Sequence, residues 1–126
     1  MNLESIYIKP EVQFSAYISE WADKMGITVN EFDPKIEDQE AEGLLLINAN
    51  QDIEKEMYDL HNLFDMKHIP TQKIDINGTL QVAVSNFEMW LRNYKCKNIL
   101  ILGSDELIKN ENLDRFFKKI VSKVNA

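Results

Sequence analysis

The chain has 126 residues, a formal net charge of −7 and a pI near 4.8, with 44% apolar and 28% charged residues. That size suits a single α/β domain spanning 1–126 with its own core, and the ordinary composition excludes wholesale disorder. The negative balance, with no Lys/Arg stripe to override it, excludes a nucleic-acid partner, and the lone Cys96 excludes a disulfide framework or a Cys-rich zinc site.

The opening residues "MNLESIYIKP" lack the basic and long apolar regions of a signal peptide, and no apolar run reaches transmembrane length. The expectation is a cytoplasmic chain with no membrane partner. "SIYIKP" alternates β-formers and stops at Pro10, which predicts a first strand. Phe14, Tyr17, Ile18, Trp21 and Met25 then recur at helical spacing, and Gly26 closes that helix. "ITVNEF" predicts a weaker second strand, since Asn30 and Glu31 interrupt its pattern. The acidic "DPKIEDQEAEG" predicts a surface connection.

"GLLLINAN" is the strongest strand of the first half, and its unbroken apolar run predicts burial on both faces, as in the centre of a parallel sheet. Residues 51–67 carry Ile53, Met57, Leu60 and Phe64 on one helical face. "IPTQKIDI" predicts a further strand. A helix over 79–94 follows, with Leu80, Ala83, Val84, Phe87 and Leu91 inward. "NILILGS" is a second buried strand, and Leu113, Phe116, Phe117, Ile120, Val121 and Val124 predict a last amphipathic helix. Its Lys118, Lys119 and Lys123 complement a helix C-terminus. Alternation of this kind predicts a three-layer, doubly wound, mainly parallel five-stranded sheet of flavodoxin-like or Rossmann-like type, with strand order 2-1-3-4-5.

In such sheets ligands sit beyond the carboxyl ends of the strands. The candidate ligand-binding residues are therefore Asn48, Asn50, Asp75, Asn77, Gly78, Thr79, Gly103 and Ser104. Gly78 could take a positive φ and open the helix start behind it to an anion, whereas Asn77 or Thr79 could simply cap that helix. Asn50 reads as a cap for the helix after "NAN", with Asp52 and Glu54 in its first turn. Those acids disfavour a phosphate there, as Asp105 and Glu106 do after Ser104. Glu54, Glu56, Asp75 and Ser104 are the candidate catalytic residues, because a carboxylate at a strand end can be desolvated for acid–base work.

His61, Asp65 and His68 share a helical face, but His68 sits where a cation favours the helix end, so no metal site is expected. Cys96 between Lys95 and Lys97 reads as an incidental thiol. No residue pattern names a cofactor. Val82, Met89 and Trp90 widen the apolar face of the 79–94 helix and are the candidate interface to a protein partner or a second copy of the chain.

Size and element order are similar to response-regulator receiver domains. Here the first strand is not followed by an acidic pair, the central strand ends in "NAN" without a phosphoacceptor aspartate, and "GSDE" holds no lysine. "FSAYISEWADKMGITVNEF", followed later by "LLLINANQDIEKEM", loosely resembles Toll/interleukin-receptor-type and nucleoside deoxyribosyltransferase-type domains. That resemblance implies N-glycosidic chemistry by a glutamate on the helix after a central strand, here Glu54 or Glu56; the other family motifs are absent. The leading expectation is a non-catalytic interaction or regulatory module. The competing one is a domain or enzyme binding a small polar ligand or nucleotide at the carboxyl edge.

Overall fold

Short apolar strands alternating with amphipathic helices assemble into one parallel sheet. The computed structural model describes residues 3–10, 12–33, 41–50 and 53–124, with only the helical backbone described for 121–124. In chain order the elements are β1 (Ser5–Ile8), α1 (Gln13–Met25), β2 (Thr28–Glu31), β3 (Gly43–Asn48), α2 (Lys55–Met66), β4 (Thr71–Asp75), α3 (Leu80–Tyr94), β5 (Asn98–Leu102), a short 3-10 helix (Asp105–Lys109) and α4 (Glu111–Val124). All four strand pairings are parallel.

The order across the sheet is β2-β1-β5-β3-β4, which corrects the expected 2-1-3-4-5. The last strand inserts between β1 and β3. Its residues Ile99, Leu100, Ile101 and Leu102 are all buried, as a central position with both faces covered requires. Ile99 pairs with both Ile6 and Gly43. β2 is an edge strand within the sheet, and its polar Thr28, Asn30 and Glu31 are exposed there, where charge and polarity blunt an open edge.

Alternation along each strand divides the core. Ile6, Ile8, Leu45, Ile47, Ile74, Ile99 and Ile101 face α1, α3 and α4, together with Phe14, Ile18, Phe87, Phe116 and Phe117. Leu44, Leu46, Leu100 and Leu102 face α2 through Met57, Leu60 and Phe64, joined by Phe32 and Ala41. Each such side chain, fully buried, contributes roughly 1.5–3 kcal/mol of transfer free energy. In α1 the inward row is Phe14, Ile18 and Ala22, with Tyr17, Trp21 and Met25 packed at its flank, and Gly26 ends the helix at φ 73°. Val121 and Val124, expected inward on α4, lie outside the described side chains, as do 34–40 of the acidic connection. The end of that connection is fastened down: Ala41 is buried, and Glu42 Oε1 accepts the N–H groups of Lys97 and Asn98 at the start of β5.

Candidate functional site

With this strand order, β1 leads through α1 to β2 on one side and β3 leads through α2 to β4 on the other. The reversal falls around β5, so the segment Gly103-Ser104-Asp105 stands at the point where such sheets open a crevice. Two cavities flank it. One of about 60 Å³ lies on the β1 side, among Lys9, Ser15, Glu54, Gly103, Ser104 and Asp105. The other, of about 320 Å³, lies on the β3 side and is lined by Ala49, Asn50, Ser104, Glu106, Leu107 and Asn110. Ser104 forms a wall of both.

The starts of α1 and α4 on this edge already have side-chain partners. Phe14 N–H, at the beginning of α1, donates to Asp105 Oδ1 at 2.9 Å, so the 3-10 segment supplies the cap that Val12 cannot. A Cβ on Gly103 would stand 2.5 Å from the Phe14 ring, and the absence of a side chain is what lets α1 come this close. α2 begins later than expected. Glu54 holds its cap position, without a side-chain hydrogen bond, and Glu56 lies in its first turn. Asn50 is therefore not the cap of α2: it takes a left-handed φ of 57° and its N–H donates to Asp75 Oδ1 at 3.0 Å. The Asp52 predicted for that first turn lies outside the described residues. Asn110 Oδ1 accepts the Asn112 N–H at the start of α4, with Glu111 and Asp114 following.

The Asp75–Thr79 turn is organised by its aspartate. Asp75 Oδ1 accepts the N–H groups of Asn77 and Asn50, while Gly78 N–H donates to the Asp75 carbonyl. Gly78 is not among the residues with positive φ, so the left-handed turn expected of it is not used. Thr79 holds the cap position of α3 without a side-chain cap bond. Asn77 points instead to the far end of the chain, its Oδ1 accepting from Asn110 Nδ2 at 2.8 Å and Asn112 Nδ2 at 3.2 Å. Two further cavities adjoin this turn. One of about 240 Å³ is lined by Asn48, Ile53, Tyr58, Lys73 and Asp75, and one of about 200 Å³ by residues that include Lys73, Gly78, Thr79 and Val82.

The structure thus brings Asn48, Asn50, Asp75, Asn77, Gly78, Thr79, Gly103 and Ser104 to one edge. Asn48 is 3% exposed at the end of β3. Glu56 reaches Lys9 at 2.5 Å on an open surface. Reading the sequence alone passed over Ser15, whose buried Oγ has no hydrogen-bond partner beside the 60 Å³ cavity, and it passed over Asn110 and Asn112. Asn110 carried a legible signal, an asparagine immediately before an amphipathic run.

The remaining candidates lie elsewhere. Val82 and Met89 are each 54% exposed one above the other on α3, whereas Trp90 is only 4% exposed. A Cβ on Gly43 would meet the Trp90 ring at 2.8 Å, so the glycine that opens β3 is what admits the indole. His61 Nε2 lies 3.2 Å from Thr71 Oγ1, and His68 turns the chain at φ 60°. Burial, reinforced by Glu42, pushes the Cys96 thiol up to about 11, and its Sγ lies 3.6 Å from the Glu42 carbonyl. On the helical layer, burial and the Asp114 carboxylate push Tyr17 up to about 12, and the Lys118 hydrogen bond holds Asp114 below its usual range. They border a groove of about 280 Å³ between α1 and α4. No group of three or more His, Cys, Asp or Glu among the described residues is arranged to hold a metal ion. No helix among them is long and apolar enough to cross a membrane.

No family model matches the chain, and no curated protein matches its sequence. Among solved structures, a protein from Syntrophus aciditrophicus, provisionally named a molybdenum carrier protein, superposes with a TM-score of 0.72 at 11% identity, over 98% of this chain and 96% of that one. The chain therefore has an α/β fold of Rossmann-like type, with five parallel strands and helices on both sides, shared with that protein over nearly the whole length of each.

Proposed function

We propose that the chain is a binding domain for a small, uncharged polar molecule, held at the carboxyl edge beside the end of β5. The observation that carries this reading is the cavity of about 320 Å³ at the switch point, with Asn50, Ser104 and Asn110 on its walls. That volume is near the roughly 300 Å³ lower bound of ordinary ligand pockets, which suits a fragment-sized metabolite. Hydroxyl and amide side chains both donate and accept, and so match alcohols and amides. Among the described residues, Glu106 is the one charged group lining the cavity.

Phosphates are disfavoured by the same geometry. The α1 start is capped by the Asp105 carboxylate, the α2 and α4 starts carry acids, and Lys9 is engaged by Glu56. An anionic oxo form of molybdenum, suggested as cargo by the name of the structural neighbour, would meet the same obstacle. N-glycosidic catalysis is the less favoured reading, since Glu56 is 62% exposed and paired with Lys9, and the cavity that Glu54 borders is of about 60 Å³.

A thermal-shift screen of uncharged nucleosides, sugars and amides beside their phosphorylated forms tests the proposal, because a ligand of the folded state stabilises it by mass action. The expected result is a rise in Tm with an uncharged compound, reduced by its phosphate and abolished by Ser104→Trp. No shift with any compound, or a shift that survives Ser104→Trp, overturns it.

The exposed Val82 and Met89 favour a second reading, self-association through α3. Two side chains cover little of the roughly 800 Å² per partner that a stable interface buries. Light scattering at high concentration decides it, and a monomer removes the reading.

A further inference from the structure

We infer that the ligand of the cavity of about 320 Å³ is a polyol of monosaccharide size, held through two hydroxyls on neighbouring carbons by the Glu106 carboxylate. The inference rests on that cavity being the ligand site and names the class of molecule it takes. Ser104, Glu106, Leu107 and Asn110 reach the cavity wall from one tight segment. Leu107 N–H donates to the Ser104 carbonyl at 3.1 Å, and Asn110 N–H donates to the Leu107 carbonyl at 2.9 Å. Leu107 is 3% exposed and so pins the 3-10 helix to the core. On the β3 side, Asn50 is fixed by its N–H bond to Asp75 Oδ1.

Asn110 is oriented from both ends of its amide, since Oδ1 accepts the Asn112 N–H at 3.0 Å and Nδ2 donates to Asn77 Oδ1 at 2.8 Å. The side chains left to meet a ligand are those of Asn50, Ser104 and Glu106. Glu106 is exposed, and among the described residues it belongs to no ion pair. The wall is therefore one acceptor-only carboxylate beside a hydroxyl and an amide, each of which both donates and accepts.

The two oxygens of a carboxylate lie side by side, so they pair best with two donors on neighbouring atoms. A guanidinium, a urea and a vicinal diol all offer such a pair. A guanidinium only donates, and would leave the donors of Ser104 and Asn50 unmatched. A urea places its acceptor on the far side from its paired N–H groups. Each hydroxyl of a diol, by contrast, donates to the carboxylate and accepts from Ser104 Oγ or Asn50 Nδ2 at the same oxygen. Ala49 and Leu107 give the carbon skeleton its apolar contact.

The test titrates the full chain, labelled with 15N, with methyl β-D-ribofuranoside, with its 2-deoxy counterpart, which lacks the neighbouring hydroxyl pair, and with N-methylurea. The expected result is saturable shifts of Asn50, Ser104, Glu106 and Asn110 with the ribofuranoside. The 2-deoxy compound should bind about tenfold weaker, having lost one charge-assisted hydrogen bond. Glu106 is exposed, so Glu106→Gln keeps the fold, checked by its unchanged dispersed spectrum, and should bring the two sugars to equal affinity. Equal binding of the 2-deoxy compound to the unaltered chain, tighter binding of N-methylurea, or unchanged ribofuranoside affinity in Glu106→Gln overturns the inference, and leaves the cavity standing as a site for uncharged ligands. Absence of shifts with the ribofuranoside also overturns it. The reading of the cavity itself fails only when no uncharged compound of the thermal screen moves these four residues.

Discussion

At the scale of single residues, two glycines do work that their neighbours explain. Gly103 stands under the Phe14 ring and Gly43 under Trp90, with distances from an added Cβ of 2.5 Å and 2.8 Å. Gly103→Ala should destabilise the fold by about 1–3 kcal/mol through overpacking, read as a lower denaturant midpoint at unchanged slope. Gly43→Ala should behave similarly. These contacts explain why Trp90 was misplaced by pattern alone: its position on the helix suggested a surface belt, while the space for it is made by a residue 47 positions earlier.

Cys96 supplies a residue-scale test with a sign. Its folded pKa is raised to about 11 from 9.0 by burial first and Glu42 second. Its contribution is therefore fully present below pH 9 and is lost as pH rises through about 11, because the unfolded thiol releases its proton first. Unfolding titrations across that window should show stability falling, with a shallower fall in Cys96→Ala. The thiol should also resist alkylation at pH 8 until the chain is unfolded.

At the scale of elements, boundaries depended on caps that come from elsewhere in the chain. The helices were legible from period and the buried strands from their apolar runs. The start of α1 was not, because its cap is Asp105, 91 positions away from Phe14. Asp105→Ala should cost about 0.5–2 kcal/mol, the range for a lost N-cap, measured by chemical denaturation. The turn after β4 illustrates the same limit. Asn77 and Gly78 looked like a local device, yet Asn77 ties the turn to Asn110 and Asn112 before and within α4, and Gly78 needs no left-handed backbone. The residues of the carboxyl edge could be named from the sequence because strand ends could be found. Their bonding could not, because it joins segments far apart in the chain.

At the scale of the whole molecule, alternation of strands and helices implied a parallel sheet but did not fix which strands are neighbours, and the expected order 2-1-3-4-5 misplaced β5. The observed order matters for function, since it moves the end of β5 from an edge to the switch point and makes Ser104 a wall of two cavities. It also sets a gradient of local stability. β2, polar and at the edge, should exchange its amide hydrogens well before β5, which is buried and paired on both sides. Equal protection of the two strands would contradict the placement.

The central claim is that this edge receives a small uncharged polar ligand, and the most direct measurement is amide chemical-shift mapping with the strongest uncharged compound from the thermal screen. The account predicts saturable shifts centred on Asn50, Ser104, Glu106 and Asn110, lost in Ser104→Trp. Shifts centred instead on Val82 and Met89 of α3, or tighter binding of the phosphorylated form at the same four residues, would contradict it.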